Sequence, residues 1–241
     1  MELHVAFLPE EAGDCGRRVV AVVDVIRATT SLLVMAERGC DEVLVAANVA
    51  AVRGYGASDP DVLLAGEQAG RAPEGFDFGN SPAAFAEADL AGRRVVFATT
   101  NGTRALHLVR AAPAALIACL RNRTATAAVL AAEARPRGLD VTIVCSGREG
   151  RFGLDDAYTA GAIVEAMLAG SGADAVVPTD AALAARTLFR GYPDAAALLR
   201  TTWAGRNVIE IGLGDDLRVC AEVDRSVLVP RVGERVRLLP S

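Results

Sequence analysis

Val19-Val20-Ala21-Val22-Val23-Asp24-Val25-Ile26-Arg27-Ala28-Thr29-Thr30 starts as an apolar run dense in β-branched residues and ends in a polar turn. Its length and composition read as a buried strand over Val19 to Ile26, and the Ala- and Leu-rich stretch at 29–38 reads as the helix that follows. The same unit recurs outward in both directions. Further strands are expected at Val5 to Leu8, Glu42 to Ala46, Val62 to Ala65, Arg94 to Ala98, Ala115 to Leu120 and Val141 to Cys145, with helices near 48–56, 82–88, 103–111, 123–135 and 156–169. Strands alternating with crossover helices give an α/β fold with a mostly parallel sheet. Past Gly170 the pattern turns helical, around 179–190, 193–200, 203–211 and 215–223, before a Val227 to Leu239 segment that reads as edge strands or a tail hairpin. The expected organisation is one α/β domain over 1–241, with any subdivision falling near residue 170 between a sheet-containing part and a mainly helical one.

Composition excludes several chemistries. All 25 basic residues are Arg, so Schiff-base catalysis and a Lys-dependent phosphate loop are impossible. A net charge of -5 and the absence of basic runs argue against a nucleic-acid partner, although Arg can still hold a small anion locally. The apolar runs, such as Ala114 to Leu120, fall well short of the roughly 20 residues that span a bilayer, so no membrane partner is expected. Met1-Glu2-Leu3-His4 lacks the basic start of a secretory signal, which makes the cytoplasm the expected location. Cys15, Cys40, Cys119, Cys145 and Cys220 are widely spaced and only His4 and His107 accompany them, which speaks against structural zinc and for reduced thiols. A homodimer is expected on frequency alone.

In open α/β sheets ligands bind beyond the carboxyl ends of the strands, and four expected strands run into unusual polar loops there. They are Asp24 to Thr30, Gly66-Glu67 continuing to Gly75-Phe76-Asp77-Phe78-Gly79-Asn80-Ser81-Pro82, Thr99-Thr100-Asn101-Gly102-Thr103-Arg104, and Cys145-Ser146-Gly147-Arg148-Glu149-Gly150. In one parallel sheet these loops would share an edge. Asp24 interrupts an apolar run, where a carboxylate needs a cation, a metal or several donors; a salt bridge to Arg27 is the structural explanation, and an anion or metal site the functional one. Thr99 to Arg104 is the best phosphate cradle, since small hydroxylated residues and Gly let amides approach an oxyanion while Arg104 pairs with it; an ordinary turn capped by Thr103 is the simpler alternative. Asp24, Glu67 and Asp155 or Asp156, if convergent, offer hard oxygen ligands suited to Mg²⁺. Asn80 and Ser146 either orient water or substrate or close their own turns.

Cys145 and Arg151 have the spacing of the phosphate loop in cysteine-dependent phosphatases, but Val144 and Phe152 stand where that signature has His and a hydroxyl residue. Asp215 and Asp216 are explained by helix capping, with reach to the same site as the alternative. No dinucleotide fingerprint is present.

Taken together, Asp24 to Thr30, Gly66-Glu67, Gly75 to Pro82, Thr99 to Arg104, Ser146-Gly147 through Gly153-Leu154-Asp155-Asp156 and Leu213 to Leu217 resemble the 2-phosphosulfolactate phosphatase family. The resemblance spans roughly residues 19–220, in order. It implies a three-layer α/β/α sandwich and a Mg²⁺-dependent phosphomonoesterase acting on 2-phospho-3-sulfolactate, a step towards coenzyme M, or on a related 2-hydroxyacid phosphate. On that basis Asp24, Glu67, Asp155 and Asp156 are expected to hold Mg²⁺. Asp24, Arg27 and Glu67 are the expected catalytic residues. Asn80, Thr99, Thr100, Asn101, Gly102, Thr103, Arg104, Ser146, Gly147 and Arg148 are expected to contact the small anionic substrate. Two other readings stand beside this one, a non-catalytic module binding an anionic metabolite and a phosphatase using Cys145.

Overall fold

The computed structural model describes residues 1–100, 102–170 and 176–233. In chain order the elements are β1 (Glu2–Ala6), β2 (Arg18–Val23), α1 (Ala28–Glu37), β3 (Glu42–Val45), α2 (Val49–Ser58), β4 (Leu63–Gly66), α3 (Pro82–Glu87), β5 (Arg94–Ala98), α4 (Gly102–Leu108), β6 (Ala114–Ala118), α5 (Arg123–Ala134), β7 (Asp140–Cys145), α6 (Leu154–Gly170), β8 (Val177–Pro178), α7 (Asp180–Gly191), α8 (Ala195–Thr201), α9 (Trp203–Glu210) and α10 (Asp216–Cys220). Every strand ladder is parallel, as expected, but the strands form two sheets rather than one. A central sheet has the order β6-β2-β7-β1-β8, and a smaller one the order β3-β5-β4.

Side-chain alternation explains the layers. Along β2, Val19, Ala21 and Val23 enter one core with Ile143 of β7 and the inner residues of α5, α6 and α7, including Leu130, Ile163 and Ala182. Val20 and Val22 enter a second core on the opposite face with Leu32 and Met35 of α1 and Leu106 of α4. That second core also takes in Val43, Ala65, Val95 and Phe97, so the inner face of the three-stranded sheet shares it. The alternate residues, Val96 and Ala98 with Val52 of α2, form a small third core on its outer face. The result is a three-layer sandwich about the central sheet with the second sheet set against one helical layer.

Local competition for amides sets the strand ends. β1 stops at Ala6, short of the expected Leu8, because the amides of Phe7 and Leu8 donate to the Glu11 carboxylate in the following turn. β8 is two residues long, too short to leave a periodic signal, yet it extends the central sheet beside β1. The chain beyond residue 170 is thereby joined to the sheet, and Glu165 of α6 pairs with Arg186 and Arg190 of α7. Of the expected tail strands, the described residues show a single antiparallel bridge, Leu116 with Arg231. The amide of Ile117 donates to the Pro230 carbonyl and that of Val232 to the Ala115 carbonyl, each at 2.8 Å, which covers the outer edge of β6. Residues 234–239 of that expectation, and Asn101, lie outside the described residues.

Candidate active site

On the central-sheet side, β2 ends because its next amides leave the ladder. The Asp24 amide donates to Thr29 Oγ1 at 3.1 Å, and Asp24 Oδ1 accepts from the Ala28 amide at 3.2 Å. The Val25 amide donates to Asp156 Oδ1 at 2.9 Å, while Asp156 Oδ2 accepts from the Gly147 amide at 3.0 Å. Asp156 thus ties the loop after β2 to the loop after β7. Asp155 and Asp156 open α6, where the free amides and dipole of the helix favour negative charge.

Asp24, Asp155 and Asp156 are each more than nine-tenths buried. Burial, with repulsion from Asp155 and Glu67, pushes the Asp24 carboxyl up to about 7 against an ordinary value of 3.8. Burial raises Asp155 to about 6, opposed by amides of its own helix turn and by Arg148. Asp156 is raised well above the usual carboxylate range by burial and then by its two acidic neighbours. Three buried carboxyls therefore crowd a region where Arg27 and Arg148 offset only part of the negative charge.

On the three-stranded side, the same kind of latch closes the turn after β5. The Thr99 amide donates to Thr103 Oγ1 at 2.9 Å, and the Thr103 amide donates back to Thr99 Oγ1 at 3.3 Å. Glu67, after β4, accepts from the Thr100 amide through Oε1 and from the Gly70 amide through Oε2, both at 2.7 Å, so it braces the two loops of this sheet. Gly102 brings the two sides together. A Cβ there would lie 2.6 Å from Ala28 Cβ, 2.8 Å from Asp24 Oδ2 and 3.1 Å from Thr99 Oγ1, so only glycine lets the loop after β5 close on Asp24. Gly66, at φ +145, is equally tight, with its absent Cβ 2.2 Å from the Ala98 carbonyl oxygen.

Two of the expected arginines engage protein partners. Arg27 is buried, but its Nη1 donates to Asp216 Oδ2 at 2.8 Å and its Nη2 to the Gly70 carbonyl at 2.7 Å. In place of an oxyanion clamp it is a tether from the loop after β2 to α10 and to the loop after β4. Arg104 is exposed and ion-paired with Glu10, because its position on α4 carries the side chain away from the acids and out to solvent. Arg148 lies over the Trp203 ring and close enough to Asp155 to favour its charge. Asn80 and Ser146 are buried, and Asn80 Oδ1 and Ser146 Oγ have no protein partner among the described residues. Cys145 packs in the first core, and burial with the nearby Asp156 and Asp155 drives its thiol well above the ordinary range. Burial and the nearby acids thus disfavour a thiolate at Cys145.

The family model for 2-phosphosulpholactate phosphatase matches residues 6–235. The chain belongs to that family. Curated relatives named "Probable 2-phosphosulfolactate phosphatase" include one from Thermus thermophilus, 42% identical over 221 residues and covering 90% of both chains. Another, from Deinococcus radiodurans, is 40% identical over 233 residues, 95% of this chain and 92% of its own. A third, from a Synechococcus strain, is 40% identical over 241 residues, 97% of both. The 2-phosphosulpholactate phosphatase name denotes a phosphoric monoester hydrolase, and the loops described above lie within the matched span.

In this member of the family, sequence reasoning missed the partnership of Asp216 with Arg27 across 189 positions, and with Ser81, whose hydroxyl donates to Asp216 Oδ1 at 2.5 Å. The Leu213 to Leu217 segment and the Ser81-Pro82 turn were both visible as motifs, but nothing local marks their contact. It also missed Trp203, for which the sequence carried no signal beyond a lone tryptophan in a helical stretch.

Proposed function

We propose that the protein is a Mg²⁺-dependent phosphatase that hydrolyses 2-phospho-3-sulfolactate, or a closely related 2-hydroxyacid phosphate, releasing the hydroxyacid and inorganic phosphate. The observation that carries the reading is the set of three buried carboxyls gathered where β2 ends and α6 begins, with Asp24 against the Gly102 turn, in a chain of this family. Hard oxygen donors deficient in positive charge fit a small divalent cation. Asp24 and Asp155 would hold Mg²⁺, with Asp156 fixing the loops behind them. Glu67, both of whose oxygens accept amides, adds negative charge from the opposite side. When bound, Mg²⁺ neutralises charge on the phosphoryl group during in-line displacement.

The remaining steps fall to side chains. Gly102 holds the turn after β5 against Asp24, and the unpaired Ser146 hydroxyl donates to a phosphoryl oxygen. Asn80, buried with Oδ1 unpaired, orients the attacking water. Water oxygen bonds to phosphorus, the ester P–O bond breaks, and the departing 2-alkoxide oxygen takes up the proton that the water gives up, which leaves the 2-hydroxyacid and inorganic phosphate. Arg148, held near Asp155 and only loosely paired with Glu149 at 3.5 Å, is the cation proposed to meet a second acidic group of the substrate. Among the described residues no helix is long and apolar enough to cross a membrane.

The experiment is phosphate release from 2-phospho-3-sulfolactate, beside 2-phospholactate and p-nitrophenyl phosphate, with Mg²⁺ and after exhaustive EDTA treatment. The expected result is turnover that favours phosphosulfolactate, vanishes with EDTA and returns with Mg²⁺. EDTA-resistant turnover would contradict the metal, and binding of the substrate without turnover would make the site a metabolite-binding module.

A further inference from the structure

We infer that Trp203 of α9 is a positioning residue that sets preference for a substrate bearing a sulfonate, by fixing Arg148 over the mouth of the site; this rests on the phosphatase reading above. Two hairpins flank the site. In each, two residues exchange backbone hydrogen bonds across a two-residue turn, Gln68 with Arg71 and Arg148 with Arg151. Both central residues have positive φ, Ala69 and Gly70 in the first, Glu149 and Gly150 in the second. One helix meets both hairpins. Trp203, Asn207 and Ile211 recur every four residues and so lie on one face of α9 and its final turn. The Arg148 guanidinium sits over the Trp203 ring, while Ile211 Cδ1 and Asn207 Nδ2 lie 2.9 and 3.5 Å from where a Cβ on Gly70 would be.

The charge inventory explains why this contact matters. A phosphosulfolactate carries a phosphate, a carboxylate and a sulfonate on a methylene arm. The phosphate is drawn to the buried acids and their cation, which leaves the sulfonate at the outer side of the site. Arg27 has both terminal nitrogens on buried partners, and Arg104 faces solvent with Glu10. The ion-pair partner of Arg148, Glu149, is 3.5 Å away and two-thirds exposed, so the guanidinium keeps donors for an incoming anion. A flat ring under a flat guanidinium restricts its orientation and partly desolvates it, leaving its edge donors free to fork onto sulfonate oxygens.

The test is steady-state kinetics of Trp203→Leu, Trp203→Phe and Arg148→Lys on 2-phospho-3-sulfolactate and on 2-phospholactate, which lacks only the sulfonate. Trp203 is half exposed, so these variants retain the fold, which circular dichroism and melting would verify. Trp203→Leu should raise KM for phosphosulfolactate by about five- to tenfold with kcat within about twofold, and leave phospholactate unchanged. Trp203→Phe should recover most of the loss, and Arg148→Lys should reproduce it by keeping the charge without the plane. Equal losses on both substrates, or none on either, would overturn the inference alone. Absence of turnover of either substrate by the unaltered protein would overturn the phosphatase reading and this inference with it.

Discussion

The two sheets face the site with the same pair of devices and fill them with different chemistry. On each side one strand ends in a reciprocal latch, Asp24 with Thr29 and Ala28 after β2, Thr99 with Thr103 after β5. On each side another strand ends in a hairpin whose central residues have positive φ. The three-stranded side is balanced: Thr99 and Thr103 satisfy each other, and both oxygens of Glu67 accept amides. The central-sheet side is not balanced, because Asp24, Asp155 and Asp156 are buried together. Asp216 provides an internal control. It is equally buried, yet it holds Arg27, the Ser81 hydroxyl and the Ala83 amide. Burial alone therefore does not mark an acid as chemical; burial without sufficient counter-charge does.

That contrast is broken or sharpened by four changes, in falling order of effect. Asp24→Asn should lower kcat/KM by on the order of a thousandfold, since it removes the negative charge the cation would meet at that position, whereas Glu67→Gln on the balanced side should lose far less. Comparable losses in the two variants would erase the distinction. Arg27→Met should destabilise the fold by about 3–5 kcal/mol in urea unfolding, because Asp216 is then buried without its cation. Adding Asp216→Leu should restore much of that loss, and failure to do so would mean that Arg27 acts through some other contact.

The third change is pH. The carboxyls of Asp24 and Asp155 rise from 3.8 in their ordinary state to about 7 and about 6 in the fold. A raised carboxyl binds its proton more tightly in the folded than in the unfolded chain, so its contribution is fully present below pH 4 and is lost as pH rises through 7. In EDTA the melting temperature should therefore carry a destabilising component, on the order of a few kcal/mol, that grows between about pH 4 and 7. Mg²⁺ should oppose it. A melting profile in EDTA that lacks this component, compared with Asp24→Asn, would show that the carboxyls are compensated by the protein itself. The smallest effect belongs to the balanced side: Thr103→Val removes one latch and should cost about 1 kcal/mol in thermal unfolding while leaving Mg²⁺ binding intact.

The loops that build the site were legible because polar residues interrupt or terminate apolar runs at Asp24, Thr99 and Ser146, which strand physics cannot otherwise explain. The parallel strands were legible for the same reason of pattern. The division into two sheets was not, since Val43, Val95 and Ala65 alternate just as Val20 and Val22 do, and strand order is a property of packing between distant segments. Side-chain direction was also out of reach. Arg27 and Arg104 read as equivalent oxyanion donors in sequence, and only the fold sends one to Asp216 and the other to Glu10. The arrival of Trp203 over Arg148 depends on α9 crossing both hairpins, a contact between segments some fifty positions apart.

The most direct test of the central claim is calorimetric titration of Mg²⁺ into the unaltered protein, Asp24→Asn and Asp216→Asn at pH 6.5 in two buffers of different ionisation heat. The account predicts saturable binding by the unaltered protein with net proton release, because Asp24 and Asp155 are partly protonated there, near-complete loss in Asp24→Asn, and retention in Asp216→Asn. Undiminished binding by Asp24→Asn, or binding that Asp216→Asn abolishes instead, would contradict it.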